Sequence, residues 1–213
     1  TVISNNKEQT VNAIVNRSFT ANTGYYTLCV PFDMSASEIG TAYQLGEITE
    51  HVSGEKGGIN INLTEVEHIE AGKPYLVLPS EDLTNPIFEN VTIVNTTGET
   101  IEPASVAGVK VTFTGIINGV GEETNGTTEY YVGNNGYLYK GTVAKLGLRA
   151  FFTITDGEGQ AISNVRARVV AGENVETGVK DIISTDAPVK VIENGQLIII
   201  RDGVKYNVQG QKL

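Results

Sequence analysis

The chain has 213 residues, of which 40% are hydrophobic and 19% are charged, a balance typical of a folded domain rather than a disordered segment. Its net charge of −10 repels phosphate backbones, which argues against nucleic acid as a partner. No apolar run approaches the ~18–20 residues of a membrane-spanning helix, so we expect no transmembrane segment. The only cysteine, Cys29, excludes an internal disulfide or a thiolate-rich zinc site.

The first segments of the chain read as strands. TVNAIVNRSF (10–19) alternates Val11, Ala13 and Val15 with polar neighbours, and YYTLCV (25–30) is apolar on both faces, which predicts a central buried strand. One helix signal follows in DMSASEIGTAYQ (33–44), where Ser35 and Glu38 have the spacing of a capping box. Gly40 and Gly46 limit the predicted helix to about two turns.

Further strands follow at short intervals. ININL (59–63) places Ile59, Ile61 and Leu63 on one face, and the shift of the apolar phase to Val66 predicts a bulge near Thr64 and Glu65. Four more segments fit strands: PYLVLP (74–79), IFENVTIV (87–94), VKVTFTGI (109–116) and LRAFFTI (148–154). Asn135-Gly136 predicts a tight hairpin, and TDGEGQ (155–160) predicts a longer turn. Many short strands at roughly 8–12-residue spacing predict an all-β fold, a jelly-roll-like β-sandwich over residues 1–172.

The segment 173–213 reads as a linker and a C-terminal β-meander. Asn194-Gly195 and Asp202-Gly203 are strong hairpin signals, and they divide residues 189–213 into three strands. The unbroken apolar run 197–200 needs cover on both faces. We therefore expect this tail to pack on the main domain or on something outside the chain.

Several motifs, taken together, resemble a β-rich module of secreted and cell-surface proteins of Bacteroidetes. The opening RSFTANTGYYTLCVPFDM (17–34) carries the resemblance, with Tyr26 where the family has Trp. The later segments follow in the family's order: IEAGKPYLVLP (69–79), FENVTI (88–93), VTFTG (111–115), YYVGNNGYLY (130–139), LGLRAFFTI (146–154), ETGVKDI (176–182) and KYNVQGQKL (205–213). The resemblance implies a secreted or cell-surface location and an adhesion or structural role, with no defined ligand. The closing segment also resembles, more distantly, the sorting domains of type IX secretion.

Residue 1 is Thr rather than Met, which indicates a processed or trimmed chain. Under that interpretation, a signal peptide would not be visible in this sequence.

Candidate reactive groups are few. Cys29 as a nucleophile would need a base, and neither His51 nor His68 lies in a catalytic motif, so a buried inert thiol is favoured. The same two histidines lack metal-ligand spacing. Asp156 and Glu158 could bind calcium, but a plain turn is favoured because the full loop pattern is missing.

Acidic and aromatic clusters give two further candidates. The carboxylates of Glu65, Glu67 and Glu70 are predicted to lie on a solvated strand edge. Six tyrosines could form a sugar-binding platform, although adjacent ones point to opposite faces of a strand, so at most half share one face: Tyr25, Tyr26, Tyr130, Tyr131, Tyr137 and Tyr139. Arg149 interrupts an apolar strand and is predicted to point outward from an edge strand or to pair with an internal carboxylate. A functional role is the third alternative for this residue.

The sequence therefore predicts a non-catalytic, secreted or cell-surface adhesion or binding module, with no catalytic, cofactor-binding or metal residues and no cofactor. Its partner would be an unidentified protein or glycan at the cell surface. A carbohydrate-binding module for polysaccharide capture is the alternative. A structural spacer whose tail sorts or anchors the protein is a further one.

Overall fold

The computed structural model describes residues 2–53, 56–103, 105–106, 108–162 and 165–171, and the strand segments 189–193, 196–201 and 204–206. For residues 51–53, 56–57 and the three C-terminal strands, the description covers the backbone alone. The chain divides into two compact units, Thr1–Glu173 and Asn174–Leu213.

The first unit is built almost entirely of strands. A four-residue helix, α1, spans Val2–Asn5, and a single 3₁₀ turn spans Ala36–Glu38. The strands are β1 Thr10–Ile14, β2 Ser18–Phe19, β3 Tyr26–Leu28, β4 Met34–Ser35, β5 Gly40–Ser53, β6 Lys56–Val66, β7 His68–Ile69, β8 Tyr75–Pro79, β9 Leu83–Thr84, β10 Ile87–Thr92, β11 Thr100–Ile101, β12 Val109–Ile116, β13 Glu129–Val132, β14 Leu138–Lys140, β15 Arg149–Asp156 and β16 Arg166–Ala171.

Two five-stranded sheets form a sandwich. One has the order β11-β12-β15-β13-β14 and the other the order β16-β6-β5-β8-β3, in which β16 runs parallel to β6. Side chains of both sheets meet in one apolar cluster that includes Ile61, Leu76, Phe113, Tyr130 and Phe152. The rings of Phe113 and Phe152, a directly paired couple on β12 and β15, stack with centroids 4.3 Å apart. The predicted all-β sandwich is confirmed.

The second sheet also buries its other face. On β8, Leu76 points into the core between the sheets, while Tyr75 and Val77 join a second cluster with Phe19, Phe32 and others. Three short antiparallel pairs contribute to this cover: β1 with β10, β2 with β9, and β4 with β7. Burial on both faces explains why β8 reads as a continuous apolar run.

The predicted two-turn helix is wrong. The Glu38 carboxylate does accept the Ser35 N–H, at 3.1 Å, so Ser35 and Glu38 do form the predicted capping box. However, the helix ends after one 3₁₀ turn, because Gly40 already begins the long strand β5. Gly40 has φ 135°, and a Cβ there would collide with the carbonyl of Leu78 on the neighbouring strand. Glycine therefore starts the strand at this position rather than weakening a helix.

The predicted bulge near Thr64 and Glu65 is also misplaced. β6 is continuous, and the irregularity lies in its partner β5, where the register shifts between Leu45 and Ile48. Ile59, Ile61 and Leu63 share the buried face as predicted, whereas Val66 packs against the second apolar cluster. The shift of the apolar phase at Val66 therefore reflects that β6 packs against both apolar clusters.

YYTLCV (25–30) is buried but not central. Its strand, β3, is the last in the order of its sheet, paired on one side with β8. Its other side is satisfied by different means: the Thr27 carbonyl accepts a hydrogen bond from the Arg17 guanidinium at 2.5 Å, and the Thr27 hydroxyl accepts the Ala150 N–H at 3.1 Å. An edge strand can thus be apolar on both faces when other elements cover its edge.

The hairpin predicted at Asn135-Gly136 is present in the structure. Asn135-Gly136 connects β13 to β14, and Gly136 has φ 78°. The loop is longer than a two-residue turn, since the Gly133 N–H donates to the Tyr137 carbonyl at 2.8 Å.

The second unit contains a three-stranded antiparallel meander, as predicted: β17 Val189–Glu193, β18 Gln196–Arg201 and β19 Val204–Tyr206. Glu193 pairs with Gln196, and Arg201 with Val204. The prediction that the apolar run 197–200 is covered on both faces concerns side chains that lie outside the described part of the chain. The helical segments of the described residues fall short of the length and hydrophobicity that a membrane-spanning helix requires.

Candidate functional site

The six candidate tyrosines separate onto different faces. On β13, Tyr130 is 2% exposed in the sandwich core, and its neighbour Tyr131 is 37% exposed. Tyr137 and Tyr139 are each 41% exposed on the same hairpin. Tyr25 and Tyr26 are partly buried, against Tyr43 and Phe19 respectively. Half of the set is therefore available at the hairpin surface, which agrees with the limit that strand alternation predicts.

Tyr131 and Tyr139 form a platform, the name used below for this pair. They are directly opposite each other on β13 and β14, and their rings stack with centroids 5.9 Å apart at 30°. The Asn135 amide donates to the Tyr139 hydroxyl at 2.8 Å. Both rings lie over glycines: a Cβ at Gly133 would stand 2.6 Å from Tyr139 Cε2, and one at Gly141 would stand 3.1 Å from Tyr131 Cε1. The platform is therefore held in one arrangement without contributing to the core.

A cleft of about 260 Å³ adjoins the platform and shares Tyr131 with it. β3 contributes Tyr26 and Thr27, β15 contributes Arg149 and Phe151, and the segment before β15 contributes Lys145. Along β15, alternation sends Ala150 and Phe152 into the core. Arg149 and Phe151 therefore lie on the opposite face of the strand and line the cleft.

Arg17 lines the cleft and is held by several contacts. Its guanidinium donates to the carbonyls of Thr27 at 2.5 Å and Leu148 at 3.1 Å. It also lies 4.7 Å from the ring centroid of Phe19 and 5.4 Å from that of Tyr26. These contacts fix the position of a partly buried positive charge.

Arg149 is held much less firmly. Its Nε is buried and has no hydrogen-bond partner. The edge position and the carboxylate partner expected for this residue are wrong. Its strand lies between β12 and β13 rather than at an edge, and the ion pairs among the described residues, Lys73–Glu70, Lys110–Glu102 and Lys145–Glu129, do not include it. A buried donor without a partner costs free energy, so this position calls for an explanation.

All the charged side chains that line the cleft are positive. Burial, followed by the nearby charge of Arg149, lowers the pKa of Arg17 to about 9. Burial also lowers the pKa of Arg149. All the lining residues belong to the described part of the chain, and none of them is Asp or Glu. The cleft therefore concentrates positive charge in a protein whose net charge is −10.

Lys145 is the exception in this cleft because it has a partner. Its Nζ lies 2.8 Å from Glu129 Oε1, and both side chains are mostly buried. It also lies 4.5 Å from the ring centroid of Phe151. Lys145 is thus a compensated charge, and the two arginines carry the excess positive charge of the cleft.

Cys29 is a buried thiol, as predicted. It is 0% exposed, and its Sγ donates to the Gly72 carbonyl at 3.2 Å. Burial, and secondarily the charge of Glu99, raises the pKa of Cys29 to about 12. The thiolate that a nucleophile requires is therefore strongly disfavoured.

The remaining candidates stay apart. His68 is exposed on β7, and the side chain of His51 lies outside the described residues. Within the described residues, no three His, Cys, Asp or Glu side chains come together as metal ligands.

The acidic candidates behave as surface groups. Asp156 Oδ1 accepts the backbone N–H groups of Glu158 at 2.9 Å and Gln160 at 2.7 Å, so this segment forms the plain turn that the sequence favours. Glu65, Glu67 and Glu70 are exposed, as predicted.

Sequence reasoning named Tyr131, Tyr139 and Arg149 but did not identify Arg17 or Lys145. The available signal for Arg17 was its place in RSF (17–19), a charged residue two positions before a buried phenylalanine. Nothing in the spacing of Arg17 and Arg149 indicates that they meet, since 131 residues separate Arg17 from Leu148, the neighbour of Arg149 that it contacts.

Comparison with known proteins adds no assignment. The chain matches no protein-family model, and no curated protein and no solved structure matches it significantly.

Proposed function

We propose that this chain is a non-catalytic binding module of the cell surface or of the secreted fraction, and that its ligand binds on the platform and in the adjoining cleft. The observation that carries the proposal is the platform itself. Two stacked rings are held in place outside the core, next to a concave surface, which is the arrangement of a preformed ligand site. The location rests on the sequence resemblance described above.

The non-catalytic part of the proposal is supported by the state of the reactive side chains. Cys29 is buried and has a pKa of about 12. The arginines of the cleft are not accompanied by a lining carboxylate or histidine that could serve as a general base. Binding, rather than bond breaking, is what this set of side chains can do.

Carbohydrate is the ligand class that the platform favours. The faces of sugar rings carry C–H groups that pack on flat aromatic rings, and tyrosines supply such surface at little entropic cost. A protein partner is the second candidate, because an adhesion module could use the same rings as anchors in an interface.

An immobilised glycan array and a panel of host matrix proteins, probed with the same labelled protein, separate the two candidates. We expect saccharide binding that Tyr131→Ala weakens about tenfold, a loss of ~1.4 kcal/mol. Tyr131→Phe is the matched control, because it keeps the ring and should bind as the wild type does. Matrix-protein binding without glycan binding would favour the protein partner, and no binding to either panel would count against the module.

The surface location needs its own test. Deletion of residues 184–213 should reduce display at the cell surface if the tail sorts or anchors the protein. Fractionation of cells that express the full and the shortened chain measures this directly. Unchanged display would contradict a sorting role for the tail.

A further inference from the structure

We propose that the cleft binds a carboxylate, and that the ligand is an otherwise neutral saccharide that ends in one acidic sugar. The saccharide part of this inference rests on the proposed function. The carboxylate part rests independently on the arginines of the cleft.

The donors of the cleft are arranged for an anion. Arg149 lines the cleft near a second guanidinium, that of Arg17, and neither a lining acid nor an ion pair among the described residues offsets its charge. Planar guanidinium groups bind carboxylates through two parallel hydrogen bonds, a geometry that lysine does not offer. A bound carboxylate would supply the counter-ion that Arg149 lacks and would offset the repulsion between the two arginines.

Arg17 makes the site rigid. Two backbone carbonyls and two aromatic rings hold its guanidinium, so the positive charge does not have to be ordered when the ligand arrives. Preorganised charge of this kind binds an anion at a lower entropic cost than a flexible surface lysine.

The size of the cleft and its connection to the platform indicate the rest of the ligand. A volume of about 260 Å³ lies just below the ~300 Å³ at which pockets for small ligands begin, so it suits one sugar unit rather than a chain. Because Tyr131 lines the cleft and also belongs to the platform, the next sugar would lie on the stacked rings. The protein's net charge of −10 repels polyanions, which favours a single terminal acid.

Titration calorimetry with paired probes tests this inference. The acidic probes are sialyllactose and glucuronosyl xylobiose; the neutral partners are lactose and the carboxyl-reduced form of the second compound. We expect at least one acidic probe to bind about tenfold or more tightly than its neutral partner at 0.15 M salt, as a charge-assisted hydrogen bond would give. Higher salt should narrow that difference.

Arg149→Gln should bring the acidic probe to within about twofold of its neutral partner. Arg166→Gln is the matched control, since Arg166 is an exposed arginine on β16 outside the cleft, and it should keep the full difference. Melting temperatures of both variants verify that they are folded, and the wild-type comparison of probes needs no variant.

The outcomes separate the two proposals. The acidic and neutral probes could bind equally well, with binding abolished by Tyr131→Ala. That result would overturn the carboxylate inference and leave the proposed function in place. Absence of binding by all four probes would overturn the carboxylate inference, whereas the proposed function is decided by the glycan array and the matrix-protein panel. A preference for the acid that survives Arg149→Gln would overturn the assignment of the carboxylate to this cleft.

Discussion

The guanidinium of Arg17 donates a hydrogen bond to the carbonyl of Leu148, 3.1 Å away, and thereby holds the residue that precedes Arg149 in the chain. Leu148 has φ 56°, which is unusual for a residue with a side chain, and from there the chain enters β15. One arginine therefore supports the backbone that carries the other. The two residues share a cleft but have opposite relationships to the stability of the fold.

Replacement of Arg149 should stabilise the unliganded protein. Arg149→Met removes a buried donor that has no partner and a charge that repels Arg17, and it keeps an apolar stem of similar length. We expect the free energy of unfolding to rise by about 0.5–1 kcal/mol. For a domain of this size, Tm rises by roughly 2–4 °C for each kcal/mol. Urea unfolding of this variant beside Arg166→Met measures the effect, and a clear loss of stability would contradict our account of Arg149.

Replacement of Arg17 should destabilise the protein, in contrast to replacement of Arg149. Arg17→Met removes the hydrogen bonds to Thr27 and Leu148 and leaves both carbonyls to be satisfied otherwise. We expect a loss of about 1–3 kcal/mol, because the relief of charge repulsion offsets only part of this cost. Thermal unfolding under the same conditions as for Arg149→Met gives the comparison, and equal effects of the two substitutions would show that the arginines do not differ in this way.

The packing between Cys29 and Gly115 should be intolerant of added volume. A Cβ at Gly115 would stand 2.5 Å from Cys29 Sγ and 3.1 Å from its Cβ. Gly115→Ala should therefore cost about 1–3 kcal/mol through overpacking. Adding Cys29→Ala should recover part of that loss, and a double-mutant cycle measures the coupling. Additive effects of the two substitutions would mean that the contact does not limit this position.

The burial of Cys29 also predicts a dependence of stability on pH. The thiol has a pKa of about 12 in the folded protein, against an ordinary value of 9.0. Below pH 9 it is protonated in both states; between pH 9 and 12 the unfolded chain loses the proton first, so stability falls as the pH rises. We expect Cys29 to account for a loss of about 1 kcal/mol by pH 10, relative to pH 7.

Cys29→Ala provides the reference for this measurement. All other titratable groups are common to the two proteins, so the difference between the two pH profiles isolates the thiol. Identical slopes between pH 8 and pH 11 would show that the thiol is not protected by burial.

Much of the architecture follows from local pattern. Alternation in ININL (59–63) placed Ile59, Ile61 and Leu63 on the buried face, and Asn135-Gly136 located a hairpin. These predictions succeed because strand alternation and turn chemistry depend on neighbours in the chain. The helix prediction after Phe32 fails for the complementary reason: contact with the β8 strand decides the conformation at Gly40, and that strand lies far away in sequence.

The sequence by itself determined the all-β class, the separation of Tyr130 from Tyr131, and the burial of the lone thiol, because each depends on the side-chain direction or the polarity of a short segment. Only the tertiary structure decided that Arg17 and Arg149 share one cleft and that Tyr131 joins this cleft to the platform. Charge repulsion and an unpartnered donor arise between strands distant in sequence, so no local pattern records them.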